Sequence, residues 1–134
     1  MTTPDGTTIL THPIPADIPA GQRTAVQRQI ADQLLHTLLG PDASIVRSAN
    51  GAPTLQGASG HISISHCRDL LVLAYNPSNP IGIDVETWRD QLTRIADRFL
   101  DSDELSSINL DNSRLLQAWT IKEAVYKLLR IDGL

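Results

Sequence analysis

Three stretches of the chain concentrate side chains that could hold and act on an anionic substrate. The first is Ile81-Gly82-Ile83-Asp84-Val85-Glu86. On a strand, alternate residues share a face, so Ile81, Ile83 and Val85 turn to a core while Gly82, Asp84 and Glu86 turn away. Carboxylates two positions apart can converge on one hard cation such as Mg²⁺, which takes oxygen ligands. Gly82 leaves open space on that face for a ligand to approach. The second stretch is WTIKEAVYK, Trp119 to Lys127. In a helix Glu123 and Lys127 are i and i+4 on one face, with Trp119 one turn before. The third is HISISH, His61 to His66, in which Ile62 and Ile64 face one way and His61, Ser63 and Ser65 the other. An imidazole at such a strand end can donate to a phosphate. Each pattern taken alone is more often something plainer: a solvated strand face, a surface Glu–Lys helix pair, or a half-exposed histidine.

Composition narrows the setting. The chain has 134 residues and a formal net charge of −4. Area scaling gives about 6,900 Å² folded against about 21,000 Å² extended, enough burial for one domain, or two small halves sharing a core, without staples. The charge argues against general duplex binding. A lone cysteine, Cys67, forms no internal disulfide and fits a reducing compartment. No apolar run reaches membrane-spanning length, and MTTPDGTTIL has no secretory pattern. A cytoplasmic protein that binds neither nucleic acid nor membrane is expected. The only lysines are Lys122 and Lys127 and the only glutamates Glu86, Glu104 and Glu123, so both lysines and one glutamate share a six-residue window.

The elements that must position these residues follow from periodicity. Thr7–His12 reads as an edge strand, after which Pro13, Pro15 and Pro19 forbid regular pairing. Arg23–Leu39 is an amphipathic helix, with Val26, Ile30, Leu34 and Leu38 at four-residue steps, ended by Gly40-Pro41. Ser44–Arg47 is a short strand and Asn50-Gly51-Ala52-Pro53 a turn. His61–Ser65 and Ile81–Glu86 alternate as strands, and Leu70–Tyr75 suits a strand buried on both faces. Gln91–Leu100 and Ser102–Ile108 are helical, the latter with Ser102 as N-cap before Asp103 and Glu104. Asp111–Arg130 is the longest helix, with Leu115, Leu116, Trp119, Val125 and Leu129 as its core face. NPSNP, residues 76–80, is the seam between an N-terminal half, 1–79, and a C-terminal half, 80–134.

The combination and order of the motifs are more specific than any one of them. NGAPTL, HISISHC, IGIDVE, a helical spacer and WTIKEAVYK together resemble the 4′-phosphopantetheinyl transferase superfamily, its surfactin-type branch in particular, over about residues 44–134. The matching family patterns are a GK-P turn, an SH strand end, (I/V)G(I/V)D-x-E and (F/W)(S/T)-x-KE-(A/S)-x-x-K.

The resemblance implies transfer of the 4′-phosphopantetheine arm of coenzyme A to a serine of an apo acyl or peptidyl carrier protein. The other product is adenosine 3′,5′-bisphosphate, and the activity is of the holo-carrier-protein synthase type. It implies Asp84, Glu86 and Glu123 as Mg²⁺ ligands, with Glu123 or a metal-bound water taking the serine proton. Lys127 would contact the phosphates and aid the leaving group. Lys122 would assist there or hold the helix, and Ser65 and His66 would bind the 3′-phosphate of coenzyme A. Trp119 would pack the motif helix against the sheet. Ala52 stands where many relatives have the lysine of the GK-P turn, so that phosphate contact would be lost or supplied by Arg47. Three gathered carboxylates repel one another unless a cation is present, and a nearby lysine and histidine suit an anion, which agrees with this reading.

The implied fold is α+β: two pseudo-symmetric α/β halves, each a small antiparallel sheet packed by a long helix, with the site between them. The strands that usually follow the motif helix are missing after Leu134, so a fragment or a compact variant is expected. A monomer is expected because both halves lie in one chain. Arg89, Arg94 and Arg98 form either a docking face for an acidic carrier or a solvated helix face. The competing functions are a non-catalytic homologue that grips coenzyme A or carrier protein, and a metal-dependent phosphate-ester hydrolase.

Overall fold

The computed structural model describes residues 1–49, 51–88, 90–108 and 111–131. The elements run β1 (Thr8–Pro13), α1 (Arg23–Leu39), β2 (Ser44–Arg47), β3 (Pro53–Gln56), β4 (His61–His66), β5 (Leu70–Asn76), α2 (Gln91–Arg94), α3 (Ala96–Phe99), α4 (Ser102–Ile108) and α5 (Asn112–Ile131). This is α+β content with small antiparallel sheets.

The main sheet has the order β1-β5-β4, both pairings antiparallel. β5 is central, so its residues Leu71, Val72, Leu73 and Ala74 are all buried, as its continuous apolar run predicts. α1 lies on one face, where Ile30, Ala31 and Leu35 meet Leu71, Leu73 and Ile62. Leu35 and Leu73 are fully buried, each contributing about 1.5–3 kcal/mol of apolar transfer. α1 stops because Gly40 adopts φ 92, open to glycine at little cost, while its N–H caps the His36 carbonyl at 2.9 Å. β2 and β3 form a separate hairpin, Ser44 opposite Gln56.

The other face of the main sheet carries small side chains. Ser63 lies opposite Ala74, and Ser65 opposite Val72. Residues 81–88 lie over it as irregular chain. A second core lies beyond, where Leu92, Ala96 and Leu100 pack on Leu115 of α5, with Phe99 and Trp119 at its side.

Several sequence expectations are corrected here. Ile81–Glu86, predicted as a strand, joins neither sheet, because side-chain hydroxyls rather than a backbone ladder hold it. β3 was not foreseen, since Pro53 read as the end of a turn. The helix expected over Gln91–Leu100 breaks at Ile95 into α2 and α3. The cap of α4 is Asp101, not Ser102: Asp101 Oδ1 accepts the Glu104 N–H at 2.8 Å and Glu104 Oε1 accepts the Asp101 N–H at 2.9 Å, a reciprocal capping box. On α5, Val125 and Leu129 are 48% and 43% exposed, and Ala124 and Leu128 instead approach residue 82. Both sheets precede residue 80; among the described residues of the C-terminal half there is no strand, so the second sheet of the expected paired halves is not seen there.

Candidate active site

Most of the predicted residues meet in a cleft of about 730 Å³ lined by α1, the ends of β2, β4 and β5, the 81–86 segment and α5. The N-terminal elements contribute one wall of basic side chains by sequence origin: Arg23 and Arg28 from α1, Arg47 from the end of β2, and His66 from the end of β4. The second wall, from the 81–86 segment and α5, contributes Asp84, Glu86, Glu123 and Lys127.

Asp84 is the centre of this second wall. Its side chain is 4% exposed, and its Oδ1 accepts from Lys127 Nζ at 2.9 Å and from Ser65 Oγ at 3.0 Å. Its Oδ2 is buried with no hydrogen-bond partner. Lys127 also donates to the Ile83 carbonyl at 3.2 Å. The two residues come from separate elements, and the contact depends on how closely α5 approaches the 81–86 segment. Gly82 makes that approach possible: a Cβ there would lie 2.1 Å from the Ala124 carbonyl oxygen. The open space that the sequence suggested beside Gly82 for a ligand is therefore filled by the α5 backbone.

Glu86 Oε1 accepts from the Trp119 indole N–H at 3.1 Å. Trp119 meets Phe99 edge-on, with ring centroids 5.1 Å apart and an interplanar angle of 75°. It therefore packs α5 against the α2–α3 turns rather than against the sheet. Glu123 faces the cleft one helical turn before Lys127.

His66 is an exposed residue, yet partial burial of its imidazole holds its pKa below the usual value, reinforced by the cations of Lys127, Arg23 and Arg47. Its Nδ1 lies 3.3 Å from Gln27 Nε2, an amide donor that suits the neutral ring. The Arg23 guanidinium donates to the Arg68 carbonyl, so the arginine is tied across to the turn after β4.

Lys122 is not in this cleft. Five residues before Lys127, it points around the helix and donates to Glu104 of α4 at 3.0 Å. Ala52 is buried within the β2–β3 turn, while Arg47, paired with Pro53 at that end of the hairpin, lines the cleft. Arg94 and Arg98 are exposed but sit on α2 and α3, either side of the break at Ile95. Arg89 lies outside the described residues. Sequence reasoning missed Arg23, Gln27 and Arg28. Their signal is the i, i+4 pairing of Arg23 with Gln27, and of Thr24 with Arg28, beside the apolar stripe of α1.

The carboxylates supply the hard oxygen donors that a divalent cation takes, and the unsatisfied Oδ2 of Asp84 is a polar atom that a cation would satisfy. Among the described residues, no three Asp, Glu, His or Cys side chains are gathered closely enough to enclose a metal. Oxygen donors of the kind a cation takes thus line the cleft, from Asp84, Glu86 and Glu123.

Comparison with known proteins agrees with the motif order. Residues 80–133 match the model of the 4′-phosphopantetheinyl transferase superfamily. The chain is also similar to the 4′-phosphopantetheinyl transferase psf-1 of Bacillus pumilus, 29% identical over 116 residues, which cover 80% of this chain and 49% of that protein. The chain thus spans about half the length of the curated relative it matches. No helix among the described residues is long and apolar enough to cross a membrane. The segment that brings Asp84, Glu123 and Lys127 together is thus similar to the 4′-phosphopantetheinyl transferase superfamily, as its motifs indicate.

Proposed function

We propose that this chain carries the machinery of a 4′-phosphopantetheinyl transferase of the holo-carrier-protein synthase type, acting in the cytoplasm with coenzyme A and an apo acyl or peptidyl carrier protein as substrates. The observation that carries this reading is the pairing of Asp84 with Lys127 at 2.9 Å in a cleft that Arg23, Arg28 and Arg47 also line. Such a cleft suits a diphosphate ester, because one wall can neutralise phosphate charge while the other holds a cation. In this reading residues 1–79 supply the basic wall and residues 80–134 the acidic one.

The reaction joins the carrier serine Oγ to the β-phosphorus of coenzyme A and breaks the bond from that phosphorus to the bridging oxygen. That oxygen leaves with adenosine 3′,5′-bisphosphate. Arg47 and His66 would hold the 3′-phosphate, and Arg23 and Arg28 would add positive charge along the same wall. Lys127 would move from Asp84 to a phosphate oxygen and stabilise the leaving group. Glu123 would accept the serine proton. Asp84, Glu86 and Glu123 would hold Mg²⁺, which when bound offsets charge on the diphosphate.

A second reading, a homologue that binds coenzyme A without turnover, is favoured by the ungathered carboxylates and by the engagement of Asp84 Oδ1 with Lys127 and Ser65. One assay separates the two. The protein is incubated with coenzyme A, Mg²⁺ and an apo-carrier protein, and the carrier is weighed by mass spectrometry. Transfer adds one phosphopantetheine to the carrier serine, and Asp84→Asn or Glu123→Gln should lower the rate at least a hundredfold. Coenzyme A binding without transfer would favour the binding module. Release of phosphopantetheine with no carrier present would indicate a hydrolase.

A further inference from the structure

Ser63 and Ser65 occupy the strand face that the 81–86 segment covers, and both are buried, 2% and 4% exposed. Ser63 Oγ accepts the Ile83 N–H at 3.1 Å, and Ser65 Oγ accepts the Val85 N–H at 3.1 Å. Two hydroxyls two residues apart on β4 thus take two amides two residues apart in the segment, one on each side of Asp84. Ser65 then donates its only proton to Asp84 Oδ1 at 3.0 Å.

A serine hydroxyl has one donor and two acceptor sites. With its proton on Asp84, Ser65 has no donor left for a phosphate, and its remaining lone pair would repel one. The 81–86 segment has no sheet ladder of its own, so these hydroxyls set its register. We infer that Ser63 and Ser65 are positioning residues, which dock the Asp84 segment onto β4 and aim its carboxylate into the cleft, and that Ser65 does not bind substrate phosphate. The role of Asp84 toward a cation rests on the proposed function; the docking itself does not.

Three measurements on Ser63→Ala, Ser65→Ala and Ser65→Thr test this. The first is amide hydrogen exchange by NMR, which reads docking directly. Protection of the Ile83 amide should fall at least tenfold in Ser63→Ala, and that of Val85 at least tenfold in Ser65→Ala. The β4–β5 ladder amides should keep their protection, showing that the variants are folded. The second is Mn²⁺ binding by electron paramagnetic resonance, and the third is adenosine 3′,5′-bisphosphate binding by calorimetry without metal. Ser65→Ala should weaken Mn²⁺ about tenfold and leave the nucleotide within twofold. Ser65→Thr, which keeps the hydroxyl, should recover most of the Mn²⁺ affinity. Unchanged exchange at Val85, or loss of nucleotide affinity with Mn²⁺ binding intact, would overturn the inference. If the amides respond as expected but the wild-type protein binds neither Mn²⁺ nor the nucleotide, the docking role stands and the proposed function fails.

Discussion

Lys127, late in α5, reaches across to the buried carboxylate of Asp84 and closes on it at 2.9 Å. Neither partner is solvated as a free ion would be: the side chains are 18% and 4% exposed. Removing the cation leaves Asp84 buried with its negative charge uncompensated, which costs more than the pair gains when intact. Lys127→Met should therefore destabilise the fold by about 3 kcal/mol, read by urea unfolding. Asp84→Asn with Lys127→Met should cost clearly less than the two single changes added, with a coupling of about 1–3 kcal/mol. Simple additivity would show that the contact contributes nothing.

Gly82 makes this pair possible. An alanine methyl there would run into the Ala124 carbonyl and crowd the Leu128 amide. These are backbone atoms of a helix, so relief requires α5 to shift bodily rather than a side chain to turn. Gly82→Ala should cost about 1–3 kcal/mol of stability. It should also lower the proposed transferase activity by more than tenfold, because Glu123 and Lys127 move away from Asp84 together. Wild-type activity at reduced melting temperature would show that the spacing between α5 and the segment does not govern the site.

His66 makes pH a readout of the basic wall. Burial first, and then the cations of Lys127, Arg23 and Arg47, hold its folded pKa below the ordinary value of 6.5. The folded protein thus prefers the neutral ring. The contribution is fully present above about pH 6.5 and is lost as pH falls through the lower folded value. Compared with His66→Gln, the wild-type protein should keep a constant stability difference above that pH and lose ground below it. An imidazole titration by NMR should show the depressed pKa directly. Adding adenosine 3′,5′-bisphosphate should raise it, since a bound phosphate favours the imidazolium. A titration unmoved by saturating nucleotide would place the 3′-phosphate elsewhere.

Lys122 and Lys127 differ by five helical positions and so by most of a half-turn around α5. Lys122 is engaged with Glu104, outside the cleft. Lys122→Ala should leave coenzyme A affinity within twofold of wild type, whereas Arg47→Ala should weaken it about tenfold. Calorimetric titration of the three proteins checks this. A large loss from Lys122→Ala would return that lysine to the phosphates.

Motif types, motif order and the main regular elements were legible from residues alone. α1 and β5 announce themselves by uninterrupted periodicity and apolar run length, which local sequence carries. The i, i+4 relation of Glu123 to Lys127 is likewise a property of any helix. The tertiary structure decided what those elements do to one another. Ile81–Glu86 alternates like a strand, yet its Ile83 and Val85 amides are taken by serine hydroxyls of β4, a contact between residues about twenty positions apart. Gly82 reads as space for a ligand until α5 is seen to fill it. Val125 and Leu129 read as core because apolar spacing names the residues of a helix face but not the face a neighbour will cover. Asp84 meets Lys127 across 43 residues, and only the close packing of α5 on the segment, which the missing side chain of Gly82 permits, brings them into contact.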